Sequence, residues 1–196
     1  MPAAMAADST LGWHQLPNAL SLARVAAAPL LVFLAFTDRE AVYSWLLVAA
    51  LVSDMADGVI ARMNGWQSPL GAKLDSLGDM LVVFAALAGI GAFHAEVYRD
   101  HWPGLAAFLG AGLLEYLLAL WRYGRLSSFH TLLSKTAGTV LAVFLAVLFV
   151  DGFVPWLFYL AIGLGVLASL EEMLLIALLP EWRANIRGAW WLLRER

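Results

Sequence analysis

Long apolar runs alternate with short polar breaks along the chain, and each run is long enough to cross a bilayer as a helix of about 20 residues. Turn or charge signals such as Asn64-Gly65 and Asp151-Gly152 separate the runs. The pattern predicts an all-α integral membrane protein, a single bundle of six transmembrane helices without a second domain. We place the spans at about 17–37, 41–63, 70–95, 103–123, 132–150 and 153–179.

The composition agrees with a membrane protein. Of 196 residues, 62% are hydrophobic and 14% are charged, which is far from the composition of a soluble domain. The net charge of −3 gives no indication of nucleic-acid binding, and the absence of cysteine excludes disulfide and thiol chemistry. Residues 1–16 contain no Lys or Arg and Arg24 interrupts the first apolar run, which argues against a cleaved signal peptide.

The two ends of the chain have the composition of surface-bound helices. Residues 181–196 combine tryptophans with arginines, a mixture that prefers the headgroup layer, and they predict a C-terminal interfacial helix. Residues 8–16 predict a similar N-terminal helix on a weaker signal.

The basic residues indicate the orientation of the chain. With six spans, only Arg39 and Arg99 fall on one side of the membrane. The other side, which also holds both termini, is expected to be cytoplasmic because basic residues concentrate there. Its basic residues are Arg62, Lys73, Arg122, Arg125, Lys135, Arg183, Arg187, Arg194 and Arg196.

Four carboxylates interrupt the apolar sequence near the loop between the second and third spans: Asp54, Asp57, Asp75 and Asp79. Hydrocarbon does not tolerate unpaired carboxylates, so they must face one another, water or a cation. Residues three or four apart share a helix face, and a helical hairpin would therefore bring all four together. Oxygen ligands of this charge favour Mg²⁺ or Mn²⁺, and two such ions are a recurrent arrangement for displacement at phosphorus.

Small residues and a cation accompany these carboxylates. Gly58, Ala61 and Gly71 permit a ligand to approach the backbone closely, and Arg62 offers a planar fork for phosphate oxygens. A different class of protein uses intramembrane acids as well, namely cation channels and transporters. Such a pathway would distribute its acids along the membrane normal, whereas these cluster at one hairpin.

The stretch 54–79 resembles the signature of the CDP-alcohol phosphatidyltransferase family, D-x2-D-G-x2-A-R-x8-G-x3-D-x3-D, and matches it at every fixed position. The resemblance, to phosphatidylglycerophosphate synthase and cardiolipin synthase-like members, implies a homodimeric six-helix membrane enzyme. Such an enzyme displaces CMP from a CDP-linked lipid or alcohol with a second alcohol. It implies that Asp54, Asp57, Asp75 and Asp79 hold the metal ions and that Asp79 is also the general base. It further implies that Gly58, Ala61, Arg62 and Gly71 bind the CDP moiety.

A second resemblance lies at the start of the first span, where Pro17-Asn18-x-Leu20-Ser21-x-x-Arg24 is similar to a segment of family members that use CDP-diacylglycerol. It implies CDP-diacylglycerol as the donor, with Asn18 near the donor phosphates. Arg24 has two interpretations. It either meets the donor as well, or it extends from the helix start to the membrane interface.

The acceptor alcohol is less well defined by the sequence. Lys135 is similar in place to a lysine that lies near the acceptor phosphate in phosphatidylglycerophosphate synthases, but a second expected lysine is Ala137. The arginine expected before Glu115 is Leu114. Glu115 and Arg122 are further candidates for the acceptor site, although Arg122 also fits a cytoplasmic charge that sets topology. Glycerol 3-phosphate and other small polar alcohols therefore remain open as acceptors.

Other features of the spans predict structure. The adjacent Glu171 and Glu172 point about 100° apart on a helix, so they favour a structural or interfacial role. The glycines of the spans, such as Gly110, Gly112, Gly163 and Gly165, predict close helix packing. Small size and a high content of Ala and Leu fit a bacterial inner-membrane protein.

Overall fold

The computed structural model describes residues 16–37, 39–64, 69–124, 129, 131–181, 186 and 188–194. Within the helices, the side chains of residues 16–17, 57–64, 69–73, 75–76 and 193–194 lie outside that description. The predicted N-terminal interfacial helix at 8–16 falls almost wholly outside it as well.

The described residues form helices and contain no strand, which confirms the all-α prediction. Seven helices are present in these ranges, where six spans were predicted. They are α1 (Leu16–Ala35), α2 (Glu40–Asn64), α3 (Pro69–Phe93), α4 (Ala95–Tyr123), α5 (Leu132–Val150), α6 (Pro155–Leu178) and α7 (Ala189–Arg194). Within the described part of the predicted C-terminal interfacial segment, α7 has six residues.

Four of these helices are long and apolar enough to cross a membrane: α4, α5, α6 and the Asn18–Ala35 part of α1. In α3 the apolar stretch among the described residues is Leu77–Phe93.

α4 begins eight residues before the predicted start at position 103. Its first turn carries Glu96, a favourable place for an acidic residue, and the helix continues through charged residues to Pro103. The backbone leaves helical geometry at His101 (φ −124°, ψ 18°), where Pro103 begins a new helical segment that needs no N–H donor. The His101 ring stacks on Phe153 at 4.6 Å, and its Nδ1 lies 2.9 Å from the Tyr159 hydroxyl.

The chain divides into two compact units, an N-terminal unit of residues 1–94 and a C-terminal unit of residues 95–196. In the N-terminal unit, α1 packs against both α2 and α3, and these two contact each other less extensively. The buried Tyr43 of α2 donates its hydroxyl to the Ala85 carbonyl of α3 at 2.7 Å. Gly89 makes room for that ring, because a Cβ there would overlap the Tyr43 hydroxyl.

In the C-terminal unit, α6 is the central helix and packs against α4, α5 and α7. Gly165 lets α6 approach Phe108 of α4, since a Cβ at that position would overlap the phenylalanine ring. Around Gly110, Gly112 and Gly163, by contrast, a Cβ would meet no described atom within 4 Å. The prediction of close packing is thus confirmed at Gly165, whereas the described residues give it no support at these other three glycines.

α7 is held against α6 by apolar packing of Ala189 on Leu175 and Ile176 and by a carboxylate of α6. Oε1 of Glu171 accepts a hydrogen bond of 3.1 Å from the backbone N–H of Ala189, the first residue of α7. Gly188 precedes it with φ +154°, and a Cβ there would lie 2.7 Å from the same Glu171 oxygen. Trp190 and Trp191 are left 61% and 43% exposed.

Candidate functional site

The acidic motif is divided between two consecutive helices of the N-terminal unit. Asp54, Asp57, Gly58, Ala61 and Arg62 lie in the second half of α2. The remaining motif residues, Gly71, Asp75 and Asp79, lie in the first part of α3. This placement agrees with the predicted helical hairpin, although the side chains from Asp57 to Arg62 and those of Gly71 and Asp75 lie outside the described part of the chain.

The first and last carboxylates of the motif meet at Arg24 of α1. Nη1 of Arg24 lies 2.6 Å from Oδ1 of Asp54 and 3.1 Å from Oδ1 of Asp79. Because both oxygens contact one nitrogen atom, the two carboxylates face each other although α2 and α3 supply them separately. These ion pairs correct the interpretation of Arg24 as a residue that extends to the membrane interface.

Burial differs sharply between the three side chains. The Arg24 side chain is 1% exposed, whereas those of Asp54 and Asp79 are 39% and 52% exposed. A guanidinium keeps its charge in proteins, so burying it requires carboxylate partners. The arginine thus closes the inner side of the site, and the two carboxylates extend from it towards the accessible side.

Gly78 explains how α3 comes close enough for this contact. It is buried, and a Cβ at this position would lie 3.4 Å from Cδ and 3.5 Å from Nη1 of Arg24. A methyl group would be in van der Waals contact, but a longer side chain would need the space of the guanidinium. This glycine sits directly before Asp79 and so places that residue beside Arg24.

The polar end of α1 forms part of the same face. Ser21 and Arg24 are buried, Asn18 is partly buried, and the spacing of three residues places them along one stripe. The stripe continues through the buried Ala28 and Leu31. The predicted donor residue Asn18 therefore lies on the α1 face that packs in the unit, less than two turns before Arg24.

The donor set fits a hard divalent cation. Asp54 and Asp79 supply carboxylate oxygens on the accessible side of the site, which are the ligands that Mg²⁺ and Mn²⁺ prefer. Among the side chains that the structure describes, no three His, Cys, Asp or Glu residues form a metal-binding group. Asp57 and Asp75, the other two predicted ligands, have side chains outside that set, so the four-carboxylate site remains a prediction.

The candidate acceptor residues all belong to the C-terminal unit. Glu115 of α4 is buried and lies beside Ser169 and Glu172 of α6. Arg122 donates from Nη2 to the Leu179 carbonyl at 3.2 Å, so it connects the end of α4 to the end of α6. Lys135 is exposed in the first turn of α5, where its backbone N–H bonds the Thr131 carbonyl.

The sequence did not predict which segment Glu172 holds in place. Its side chain is buried, and Oε2 accepts a 3.0 Å hydrogen bond from the backbone N–H of Phe129, in the connection between α4 and α5. Together with the bond from Glu171 to α7, this contact supports the structural role predicted for the pair. A carboxylate within an apolar helix indicates that a polar partner is present, but the sequence does not show that this partner is a backbone amide.

Comparison with known proteins agrees with this geometry. The family model described as CDP-alcohol phosphatidyltransferase matches residues 14–168, and the chain therefore belongs to that family. The match includes the three helices that hold Arg24, Asp54 and Asp79.

Curated relatives match a shorter region. The CDP-diacylglycerol--glycerol-3-phosphate 3-phosphatidyltransferase 2 of Arabidopsis thaliana is 43% identical over 76 residues, which cover 37% of this chain and 32% of the relative. A cardiolipin synthase (CMP-forming) of Oryza sativa subsp. japonica is 39% identical over 75 residues, covering 37% and 23% of the two chains. A cardiolipin synthase (CMP-forming) of Streptomyces coelicolor is 40% identical over 81 residues, which cover 38% of this chain and 38% of the relative. The matches thus span about a quarter to two fifths of these relatives, and no solved structure matches the chain significantly.

Proposed function

We propose that the protein transfers a phosphatidyl group from CDP-diacylglycerol to the hydroxyl of an alcohol and releases CMP. The observation that carries the proposal is the convergence of Asp54 and Asp79 on one side of a buried arginine, in a chain of the CDP-alcohol phosphatidyltransferase family. Their partial exposure leaves this carboxylate pair accessible to a ligand.

Asp54, Asp57, Asp75 and Asp79 would hold two Mg²⁺ or Mn²⁺ ions, which supply Lewis-acid stabilisation of the charge on the pyrophosphate. Arg62 binds phosphate oxygens of the donor, and Gly58, Ala61 and Gly71 admit the cytidine and ribose close to the helix backbone. Asn18 binds the donor at the start of α1. Membership of the family and the placement of these positions on α2 and α3 support these roles.

Asp79 is the proposed general base. It takes the proton of the acceptor hydroxyl while the hydroxyl oxygen attacks the β-phosphorus of the donor. The bond from that phosphorus to the bridging oxygen breaks, and CMP leaves with the electron pair. The 52% exposure of the Asp79 side chain supports this role, because an acceptor can reach a carboxylate that is open on one side.

The acceptor is glycerol 3-phosphate or another alcohol, with Lys135, Glu115 and Arg122 as its candidate binding residues. Relatives named for glycerol 3-phosphate support a polar alcohol that carries phosphate. The exposed Lys135 is accessible to a phosphate. Arg122 already bonds the Leu179 carbonyl, and Glu115 is buried.

The test is CMP release by the purified protein in nanodiscs that contain CDP-diacylglycerol. Acceptors are glycerol 3-phosphate, glycerol, inositol, inositol phosphate, serine, choline and a phospholipid with a free headgroup hydroxyl, each with Mg²⁺, Mn²⁺ or EDTA. We expect metal-dependent CMP release with one acceptor. Ion flux through the protein without CMP release would instead favour the cation pathway, which has no support from the convergence of Asp54 and Asp79 on Arg24.

We further propose six spans, a cytoplasmic site with both termini on the same side, and a homodimer in a bacterial inner membrane. The four helices that are long and apolar enough to cross a membrane and the apolar Leu77–Phe93 part of α3 support this arrangement. The chain contains no cysteine, so single cysteines can be introduced at Arg39 and Arg125 without background labelling. Labelling of Arg125→Cys from the cytoplasm and of Arg39→Cys from outside would agree with the proposal, and the reverse pattern would overturn it.

A further inference from the structure

Arg24 contacts two residues of the proposed reaction, but no step of that reaction uses it. We propose that Arg24 is a positioning residue that holds Asp54 and Asp79 at the separation a divalent cation needs, before the cation binds. The inference rests on the proposed metal-dependent function. It gives α1 a role in metal binding, although Arg24 itself is not a metal ligand.

The packing of the N-terminal unit gives the first reason. The two carboxylates come from α2 and α3, which contact each other far less than each contacts α1. Direct contact between α2 and α3 therefore does little to fix the separation of Asp54 and Asp79. A single nitrogen of Arg24, bonded to Oδ1 of both, fixes it from the third helix.

Burial gives the second reason. A side chain that is 1% exposed has few positions to move to, and on the α3 side the space beside Gly78 is so small that a Cβ there would already lie 3.4 Å from Cδ of Arg24. Arg24 thus forms a fixed inner wall instead of a mobile counter-ion that a metal would push into solvent. Partners that orient the ligands of a metal in this way typically change its affinity by about 10–100-fold.

Electrostatics alone predicts the opposite effect of removing Arg24. A positive charge beside a cation site repels the cation, so a neutral residue would tighten metal binding if charge were its only influence. If Arg24 sets the position of the two carboxylates, a neutral residue of similar length weakens metal binding. The sign of the change in affinity therefore separates the two roles.

The experiment measures Mn²⁺ binding to the full chain in nanodiscs without lipid substrate, from the electron paramagnetic resonance signal of free Mn²⁺. We expect Arg24→Met to weaken binding at least about tenfold and Arg24→Lys, which keeps one charged donor, to weaken it less. Tyr43→Phe is the matched control, because it removes a buried hydrogen bond between α2 and α3 away from the carboxylates and should bind Mn²⁺ like wild type. Unchanged or tighter binding by Arg24→Met would overturn the inference.

Activity provides a second readout that a loss of folded protein would not imitate. In Arg24→Met the Mn²⁺ concentration for half-maximal CMP release should rise at least about tenfold, while release at saturating Mn²⁺ recovers most of the wild-type rate. A variant that merely unfolds would lose the maximal rate instead. If wild-type protein itself bound no Mn²⁺ and released CMP in EDTA, the proposed metal dependence would be wrong, which is a different outcome from failure of the positioning role.

Gly78 offers a route that keeps Arg24, should Arg24→Met fail to fold. Gly78→Ala adds a methyl group at van der Waals distance and should bind Mn²⁺ like wild type, whereas Gly78→Leu must displace the guanidinium. We expect Gly78→Leu to bind Mn²⁺ at least about tenfold more weakly than Gly78→Ala. Equal affinities of these two variants would overturn the positioning role of Arg24.

Discussion

The two units of the protein both place carboxylates among apolar helices, but they satisfy them with different partners. In the N-terminal unit, Asp54 and Asp79 pair with a buried arginine and stay partly exposed. In the C-terminal unit, Glu172 is 2% exposed and accepts the N–H of Phe129, and Glu171 accepts the N–H that begins α7. A carboxylate that pairs with a cation on one side and is open on the other can bind a ligand. A carboxylate that accepts backbone donors holds a segment of chain in place.

The largest effect should come from Asp79→Asn, which removes the charge of the proposed base and with it the ion pair to Arg24. We expect CMP release to fall by about 10²–10⁴-fold and the free energy of unfolding to fall by about 1.5–3 kcal/mol. Turnover and thermal unfolding in nanodiscs measure the two. The control is Asp100→Asn, a change of an exposed aspartate in α4 that should leave both near wild type. Normal turnover by Asp79→Asn would contradict the difference drawn between the two units.

A neutral isostere should behave differently in the C-terminal unit. Glu172→Gln keeps an oxygen that can accept from Phe129, so we expect it to unfold within about 1 kcal/mol of wild type. Glu172→Ala leaves that buried N–H without its partner and should cost about 1–3 kcal/mol. Thermal or denaturant unfolding of the two variants makes the comparison. Equal losses in both would mean that the charge of Glu172, and not its acceptor oxygen, stabilises the unit.

A smaller effect is expected where Glu171 meets α7. Gly188→Ala combines a positive φ with a Cβ placed against Oε1 of Glu171, and it should weaken the attachment of α7 by about 1–2 kcal/mol. Amide hydrogen exchange in α7 would report the loss. Gly124→Ala is the matched control, since it also has a positive φ (65°) but a Cβ there would meet no described atom within 4 Å. Faster exchange in α7 from both variants would show that contact with Glu171 is irrelevant.

The smallest effect should come from Tyr43→Phe, which removes the 2.7 Å bond from Tyr43 to the Ala85 carbonyl. We expect a loss of about 1 kcal/mol of stability and wild-type CMP release, because the bond ties α2 to α3 away from the carboxylates. A large loss of activity would show that the separation of α2 and α3 at this level matters as much as Arg24.

The sequence predicted the helical class and the placement of the motif on consecutive helices, because both follow from local spacing. It missed the start of α4, since charged residues in a first helical turn lower the hydropathy of a segment without preventing a helix. The position of Pro103 also favoured the wrong start for α4. The sequence alone does not distinguish a proline that begins a separate helix from one that lies within a kinked helix.

Contacts between distant residues were harder to predict for a different reason. An arginine within an apolar helix requires a negative partner, but its spacing on α1 does not say whether that partner is a lipid phosphate or Asp54 and Asp79. Likewise, Gly163 and Gly165 look equivalent in sequence, and only the position of Phe108 distinguishes them. Tertiary packing decides both cases.

The buried Arg24 also bears on how the protein enters a membrane. A lone arginine in an inserting helix costs up to about 2.5–3.5 kcal/mol, the value at the helix centre, on scales measured with the cellular insertion machinery. The carboxylates that offset this cost, Asp54 and Asp79, are synthesised on later helices. We therefore expect α1 to stay beside the translocon until α2 and α3 emerge, so that the three helices enter the lipid together.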